Sequence, residues 1–170
     1  QAYSLPVELA RRWLGRLGSL ERAAAVAAHG IARPAQVLRV NSLRTDVTGA
    51  VEALAAEGVA AAPHANGLSV VLTEHHNVAA LRALAEGLVQ PQDPTATAVV
   101  VEAAPRPGMK VLDFCAAPGT KTTHLAERMS NSGQIVAVDV SADKLARIEQ
   151  SCLRMGATIV TTHLADRAGE

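Results

Sequence analysis

The spacing of hydrophobic positions changes several times along this chain, and each change marks an element. Leu5, Leu9, Trp13, Leu14 and Leu17 recur at helical spacing, which predicts a first helix capped by Ser4 with Pro6 in its opening turn. Gly18-Ser19 breaks it, and a second short helix runs to about His29, where Gly30 is expected to stop it. After Pro34 the period becomes two, and Gln36 to Asn41 alternates as a strand through Val37, Leu38 and Val40. Asp46 then caps a helix through Val51, Leu54 and Ala55 to Gly58. Val59 to Pro63 and Leu68 to Leu72 read as two strands, with Asn66-Gly67 as a tight hairpin turn between them. Asn77 opens a helix through Leu81 and Leu84 to Gly87, and Leu88 to Gln90 is a short closing strand. The order β-α-β-β-α-β is the split βαβ pattern of a small ferredoxin-like (RRM-like) α+β domain.

Pro91 and Pro94 bracket the next boundary, so the chain divides into residues 1–90 and 91–170. Asp93 caps a helix over Thr97 to Ala104, ended by Pro105, Pro107 and Gly108. Strand and helix then alternate with short connections. Lys110 to Phe114 is a strand, Thr120 to Ser130 a helix, Gln134 to Asp139 a strand, Ser141 to about Met155 a helix, and Ala157 to Thr162 a strand. Val111-Leu112 and Ile135 to Val138 are apolar on both faces, as in a parallel sheet covered by helices. Three strands with two crossovers make the N-terminal half of a Rossmann-like, doubly wound sheet, so the domain is expected to continue past Glu170.

Composition narrows the class. Hydrophobic residues make up 49% of the chain and charged residues 19%, a globular balance and not a disordered one. No apolar run approaches the ~20 residues needed to span a bilayer, and Glu8, Arg11, Arg12 and Arg16 interrupt any signal-peptide core. Cys115 and Cys152 give no disulfide framework, so a cytoplasmic location is expected. His64, His75 and His76 match no zinc spacing, and no metal is expected. Net charge is zero, yet residues 1–46 hold seven arginines against three carboxylates, a net of +4. Such a patch fits phosphate, with Arg39 and Arg44 as candidate contacts; the plainer reading is a solvated helix face. The chain's aromatic residues, Tyr3, Trp13 and Phe114, all lie outside the first predicted sheet, which therefore lacks base-stacking side chains.

The candidate chemistry sits where Asp113-Phe114-Cys115-Ala116-Ala117-Pro118-Gly119-Thr120-Lys121-Thr122 joins a strand to a helix. Ligands of open α/β sheets bind at such carboxyl ends of strands. Small residues at 115–119 admit a ligand to the backbone, and amides at the helix start favour its anionic groups. Asp139 ends the next strand, where a carboxylate accepts hydrogen bonds from both hydroxyls of a ribose, and Asp166 follows the third strand on the same rim. A dinucleotide fingerprint needs three spaced glycines, and this turn has only Gly119. A P-loop needs glycine where Thr120 and Cys115 stand. An adenosine ligand without a pyrophosphate remains, and S-adenosylmethionine fits. Asp113 and Lys121 have plainer readings, as a loop-holding carboxylate and a solvated helix residue; Cys115, Cys152 and Met109, Met129 and Met155 read as buried filler.

The run from Leu112 through Ala126 resembles the cofactor loop of the Sun (Fmu) family of RNA 5-methylcytosine methyltransferases. Leu38-Arg39-Val40-Asn41 is similar to that family's RNA-binding subdomain, Gln92-Asp93 to its junction with the catalytic domain, and Ala137-Val138-Asp139 and Ala165-Asp166 to its ribose and adenine positions. Thr120 stands where the family usually has a second glycine. The resemblance implies a cofactor site at Cys115, Ala116, Ala117, Pro118, Gly119, Thr120 and Lys121, with Asp139 on the ribose hydroxyls and Asp166 on the adenine amino group. It implies a ribosomal or transfer RNA substrate, attacked at carbon 6 of cytosine by a cysteine thiolate. The family's catalytic cysteines lie in Pro-Cys and Thr-Cys motifs, which this sequence lacks, so no catalytic residue is assigned and the chain alone is expected to be inactive. A competing reading is a non-catalytic RNA-binding or assembly module that keeps a relic loop.

Overall fold

In the computed structural model, which describes residues 5–165, two compact units divide the chain at Pro34. The first is a helical hairpin. Helix α1 (Val7–Leu17) ends at Gly18, whose φ of 66° turns the chain and whose amide donates to the Leu14 carbonyl. Helix α2 (Leu20–Ile31) starts on Ser19, whose hydroxyl accepts from the Arg22 amide at 3.4 Å. Gly30 does not stop α2; a glycine within the last turn costs about 1 kcal/mol against alanine, too little to end a helix already formed. Ser4 lies outside the described residues.

The second unit carries two sheets. Strands β1 (Val37–Val40), β2 (Ala61–Pro63), β3 (Ser69–Leu72) and β4 (Val89–Pro91) form an antiparallel sheet in the order β2-β3-β1-β4. Helix α3 (Val47–Ala55) begins where the Asp46 carboxylate accepts from the Gly49 amide at 2.8 Å. Leu38, Val40, Leu54, Val70, Leu72 and Val89 form the core between this sheet and its helices. The hairpin between β2 and β3 is wider than a two-residue turn: His64 pairs with Ser69, and the Asn66 carboxamide accepts from the Leu68 amide. The helix expected from Asn77 to Gly87 is broken at Leu81 into a 3-10 turn, Val78–Ala80, and helix α4 (Arg82–Ala85). The break follows from Glu57, whose carboxylate accepts from the Arg82 and Ala83 amides at 2.6 and 2.8 Å and starts α4 afresh.

Helix α5 (Pro94–Glu102) is capped by Asp93, which accepts from the Thr95 amide at 2.7 Å. Strands β5 (Lys110–Phe114), β6 (Gln134–Asp139) and β7 (Val160–Leu164) then form a parallel sheet in that order, linked by helices α6 (Thr120–Arg128) and α7 (Ala142–Met155). Val111, Ile135 and Ala137 pack against the helices with Val100, Leu125, Met129, Ile148 and Cys152. The opposite face is open: Leu112 and Phe114 are 64% and 69% exposed, so β5 is not covered on both sides as its composition suggested. Strand β7 starts three residues later than expected. Asn131 donates to the Gly156 carbonyl at 2.7 Å and accepts from the Thr158 amide at 3.0 Å, holding that segment in a turn. Met129 and Met155 are buried as filler, whereas Met109 is 40% exposed on its loop.

The two sheets meet across a polar seam. Alternation along β1 sends Leu38 and Val40 into the core and Arg39 and Asn41 to the other face, toward α6 and α7. Asn41 donates to the Gly87 and Met155 carbonyls at 2.7 and 2.8 Å, and Arg154 donates to the Leu84 carbonyl at 2.8 Å and to Gln90 Oε1. Arg39, proposed from sequence as a phosphate contact, is fully buried here; a guanidinium with several acceptors around it is stable inside where an isolated one is not. Arg44 is exposed and donates to the Arg154 carbonyl at 3.2 Å.

His124 in this seam gives a pH prediction. Gln92 turns its carbonyl oxygen to Arg39, which can only donate, so its amide nitrogen faces His124 Nδ1 at 3.3 Å and that nitrogen must accept. Burial, followed by the charges of Arg39 and Arg128, holds the imidazole down to about 3 from an ordinary 6.5. A depressed folded-state value means the stabilisation is complete above pH ~6.5 and is lost as pH falls toward ~3. Urea denaturation between pH 7 and pH 4 should show His124→Gln losing less stability than the wild type, by up to about 1 kcal/mol per pH unit. Glu127, whose raised carboxyl acts in the opposite sense, is common to both proteins and cancels. Parallel pH profiles would remove His124 as the acid-sensitive group.

Candidate cofactor site

The site is built at the carboxyl edge of β5 and β6. Asp113, on the helix-facing side of β5, accepts from the Thr122 hydroxyl at 2.6 Å and so ties the strand to the first turn of α6. This is the loop-holding role read from sequence. Between them the chain must reverse within five residues. Cys115 takes a left-handed φ of 63°, the Ala117-Pro118 peptide is cis, and Gly119 takes a φ of 93°. A side chain at Gly119 would also crowd Ile148 of α7, whose Cα lies 3.2 Å from the Cβ position, so close packing adds to the preference for glycine that the positive φ sets. The Ala116 amide donates to the Val138 carbonyl at 3.0 Å, and the Gly119 amide to the Ala116 carbonyl at 2.8 Å.

Asp139, only 6% exposed at the end of β6, closes the loop. Its two oxygens accept from the Ala117 amide at 3.2 Å and the Val140 amide at 2.8 Å, and Lys144 lies 3.6 Å away. Burial alone would raise the Asp139 carboxyl, but the two amides and the Lys144 ammonium together hold it below its ordinary value, so it stands ready as an ionised acceptor. A carboxylate offers about four lone-pair sites, and two of those on Asp139 face amides.

No side chain caps α6, because its N-cap is Gly119. The first-turn amides therefore face the loop mouth without a side-chain acceptor from the cap, an arrangement suited to a carboxylate. Cys115 and Pro118 are exposed at this mouth, Ala116 and Gly119 are buried, Ala117 and Thr120 are half-buried, and Lys121 is exposed. Cys115 is thus not the buried filler its small size suggested; the left-handed turn points it outward. Thr120 enters α6 with helical geometry, so the loop has no left-handed position there for a second glycine to fill. Asp166 lies outside the described residues. Sequence reading missed Lys144, Ser151, whose hydroxyl donates to the Pro118 carbonyl at 3.2 Å, and Val138 as a backbone acceptor. The first had a signal in its place on the opening turn of α7, next to Asp139; the others depend on loop shape.

The comparisons agree with this geometry. The profile of the RsmF/B-like ferredoxin-like domain matches residues 5–79, and that of 16S rRNA methyltransferase RsmB/F matches residues 100–169. The chain belongs to the RsmB/F methyltransferase family. The probable ribosomal RNA small subunit methyltransferase B of Bacillus subtilis is 31% identical over 169 residues, covering 98% of this chain and 38% of that protein. The crystal structure of PH0851 aligns at a TM-score of 0.88 with 31% identity, over 96% of this chain and 37% of the other. The methyltransferase homolog protein from Pyrococcus horikoshii aligns at 0.77 with 28% identity, over 95% of this chain and 57% of the other. The chain therefore spans less than two fifths of the length of the curated relative it matches over nearly all its residues. A ferredoxin-like sheet followed by a Rossmann-like methyltransferase sheet is the fold of this family, and S-adenosyl-L-methionine is its cofactor.

Proposed function

We propose that this chain is the cofactor-binding portion of an RNA methyltransferase that modifies carbon 5 of cytosine in small-subunit ribosomal RNA. The observation that carries the reading is the Asp139 carboxylate closing the Cys115–Gly119 loop at the edge of a parallel sheet. In this reading Asp139 accepts the ribose hydroxyls, the amides at the start of α6 meet the amino-acid carboxylate, and Asp166 reads the adenine. When bound, S-adenosylmethionine supplies an electrophilic methyl group. Residues 91–170 hold the cofactor, and residues 1–90 face RNA through exposed arginines of the N-terminal segment, among them Arg11, Arg12, Arg16 and Arg22. The setting is cytoplasmic.

Neither thiol of this chain suits the attack on cytosine. Cys152 is buried in α7, and burial followed by the charge of Glu149 pushes its thiol up to about 11, which leaves almost no thiolate at neutral pH. Cys115 is exposed but belongs to the turn that would hold the methyl donor. Incubation with methyl-labelled S-adenosylmethionine and cytosine-rich RNA should therefore yield no 5-methylcytidine from this chain alone. Repeated turnover would place the nucleophile at one of these two thiols.

Cofactor binding is the direct test. Calorimetric titration should show S-adenosylmethionine and its demethylated product binding to the wild type. Asp139→Asn, which keeps the size and one acceptor oxygen, should weaken both about tenfold or more. Binding by the wild type with no loss in the variant would take Asp139 out of the site, and no binding by the wild type would favour a relic loop.

A further inference from the structure

Arg39 touches α6 at three positions on one face. Its guanidinium donates to the Thr120 carbonyl at 2.8 Å, to the Thr123 hydroxyl at 3.1 Å and to the Glu127 carboxylate at 2.6 Å. Residues i, i+3 and i+7 of a helix share one face, so a single planar group fixes both the rotation and the axial position of α6. A fourth acceptor, Gln92 Oε1, holds the guanidinium from the side of β4. Arg39 and Glu127 are both shut off from solvent, with side chains 0% and 2% exposed, and among the described residues the Arg39 Nε is the one buried side-chain donor without an acceptor. Burial works against both charges, and Coulomb attraction with a direct hydrogen bond offsets it only in part.

A buried ion pair is a poor device for stability alone, since an apolar pair of the same volume often does as well. What distinguishes this one is where it lands. The Thr120 carbonyl belongs to the first residue of α6, immediately after Gly119, so the amides that face the loop mouth are carried by the turn that Arg39 grips. Thr123 adds a second link, donating its hydroxyl to the same carbonyl at 3.1 Å.

We infer that Arg39 is a positioning residue for the cofactor loop, through which the ferredoxin-like sheet sets the geometry of the Gly119–Thr122 turn. It acts through α6 and touches no ligand. The functional meaning of this role rests on the cofactor reading of the same loop, while the mechanical role is measurable without any ligand. A consequence is that the sheet face carrying Arg39 and Asn41 is committed to α6 and α7, and is closed to bases.

Hydrogen–deuterium exchange read on the peptide covering 119–124 tests it. Arg39→Lys keeps a positive charge beside Glu127 but, as a point charge on a narrow head, cannot reach all three positions of α6. Exchange in that peptide should quicken about tenfold or more. Arg154→Met removes a comparable link between the same sheet and α7 without touching α6, and should leave the peptide unchanged at equal global stability. Equal protection in Arg39→Lys and wild type, or equal loss in Arg154→Met, would overturn the assignment. Should Arg39→Lys not fold, Thr123→Val removes one acceptor and carries the same comparison. Calorimetry with S-adenosylhomocysteine adds the functional arm: weaker binding in Arg39→Lys and unchanged binding in Arg154→Met. A wild type that binds nothing counts against the cofactor reading alone, since the exchange result stands without it.

Discussion

Replacing Gly87 by alanine should destabilise the second unit by ~2–5 kcal/mol and lower its thermal midpoint by roughly 6–20 degrees. Gly87 turns the chain from α4 into β4 with a φ of 71°, where a side chain costs ~1–2 kcal/mol by itself. It is also buried against the C-terminal end of α7. An added Cβ would sit inside the Arg154 carbonyl oxygen, with the carbonyl carbon at 3.0 Å. That carbonyl cannot withdraw freely: Arg44 donates to it, the Arg154 side chain is anchored on the Leu84 carbonyl, and Asn41 ties the Gly87 carbonyl to that of Met155. Overpacking against backbone typically adds ~1–3 kcal/mol. Gly67, also at positive φ but with nothing within 4 Å of its Cβ position, is the control and should cost only its conformational share. Similar losses at the two positions would mean that the seam between the sheets is soft.

Much of the architecture was legible because local chemistry and periodicity agreed. Asp46 and Asp93 cap the helices they were expected to cap, and Lys110 to Phe114 and Gln134 to Asp139 are strands with the expected bounds. The errors share a cause. The predicted helix breaks at Leu81 because Glu57, 25 residues before Arg82, caps the next turn. Strand β7 starts late because Asn131, 25 residues before Gly156, holds the approach to it. Arg39 was read as a surface charge because its partner Glu127 is 88 residues away. In each case a side chain distant in sequence satisfies a backbone group or a charge, and no window of local pattern contains both partners. The loop itself was readable because its composition is local: small residues, proline and glycine between a strand and a helix. Its outward-facing Cys115 was not, since a left-handed non-glycine residue is a product of the fold closing around it.

Glu127→Ala should be more damaging than removing both members of its ion pair together. The single change leaves the Arg39 guanidinium fully buried with its charge uncompensated, and breaking a buried pair in this way costs about 3–5 kcal/mol. Arg39→Met with Glu127→Met removes both charges and refills the space with flexible apolar chains, and this exchange is commonly neutral or better for a buried pair. Thr123, the Thr120 carbonyl and Gln92 keep partners in each other, in the helix or in Thr97, so few groups are stranded. The double variant should therefore recover at least half of the single variant's loss in chemical denaturation, a coupling of the size found for contacting charges. Its first turn of α6 should nevertheless exchange amide hydrogens faster than wild type, because stability would be restored without the fork that indexes the helix. A double variant as unstable as Glu127→Ala would show that this site needs its charges for stability itself. One that recovered both stability and slow exchange would show that shape alone holds α6 in place.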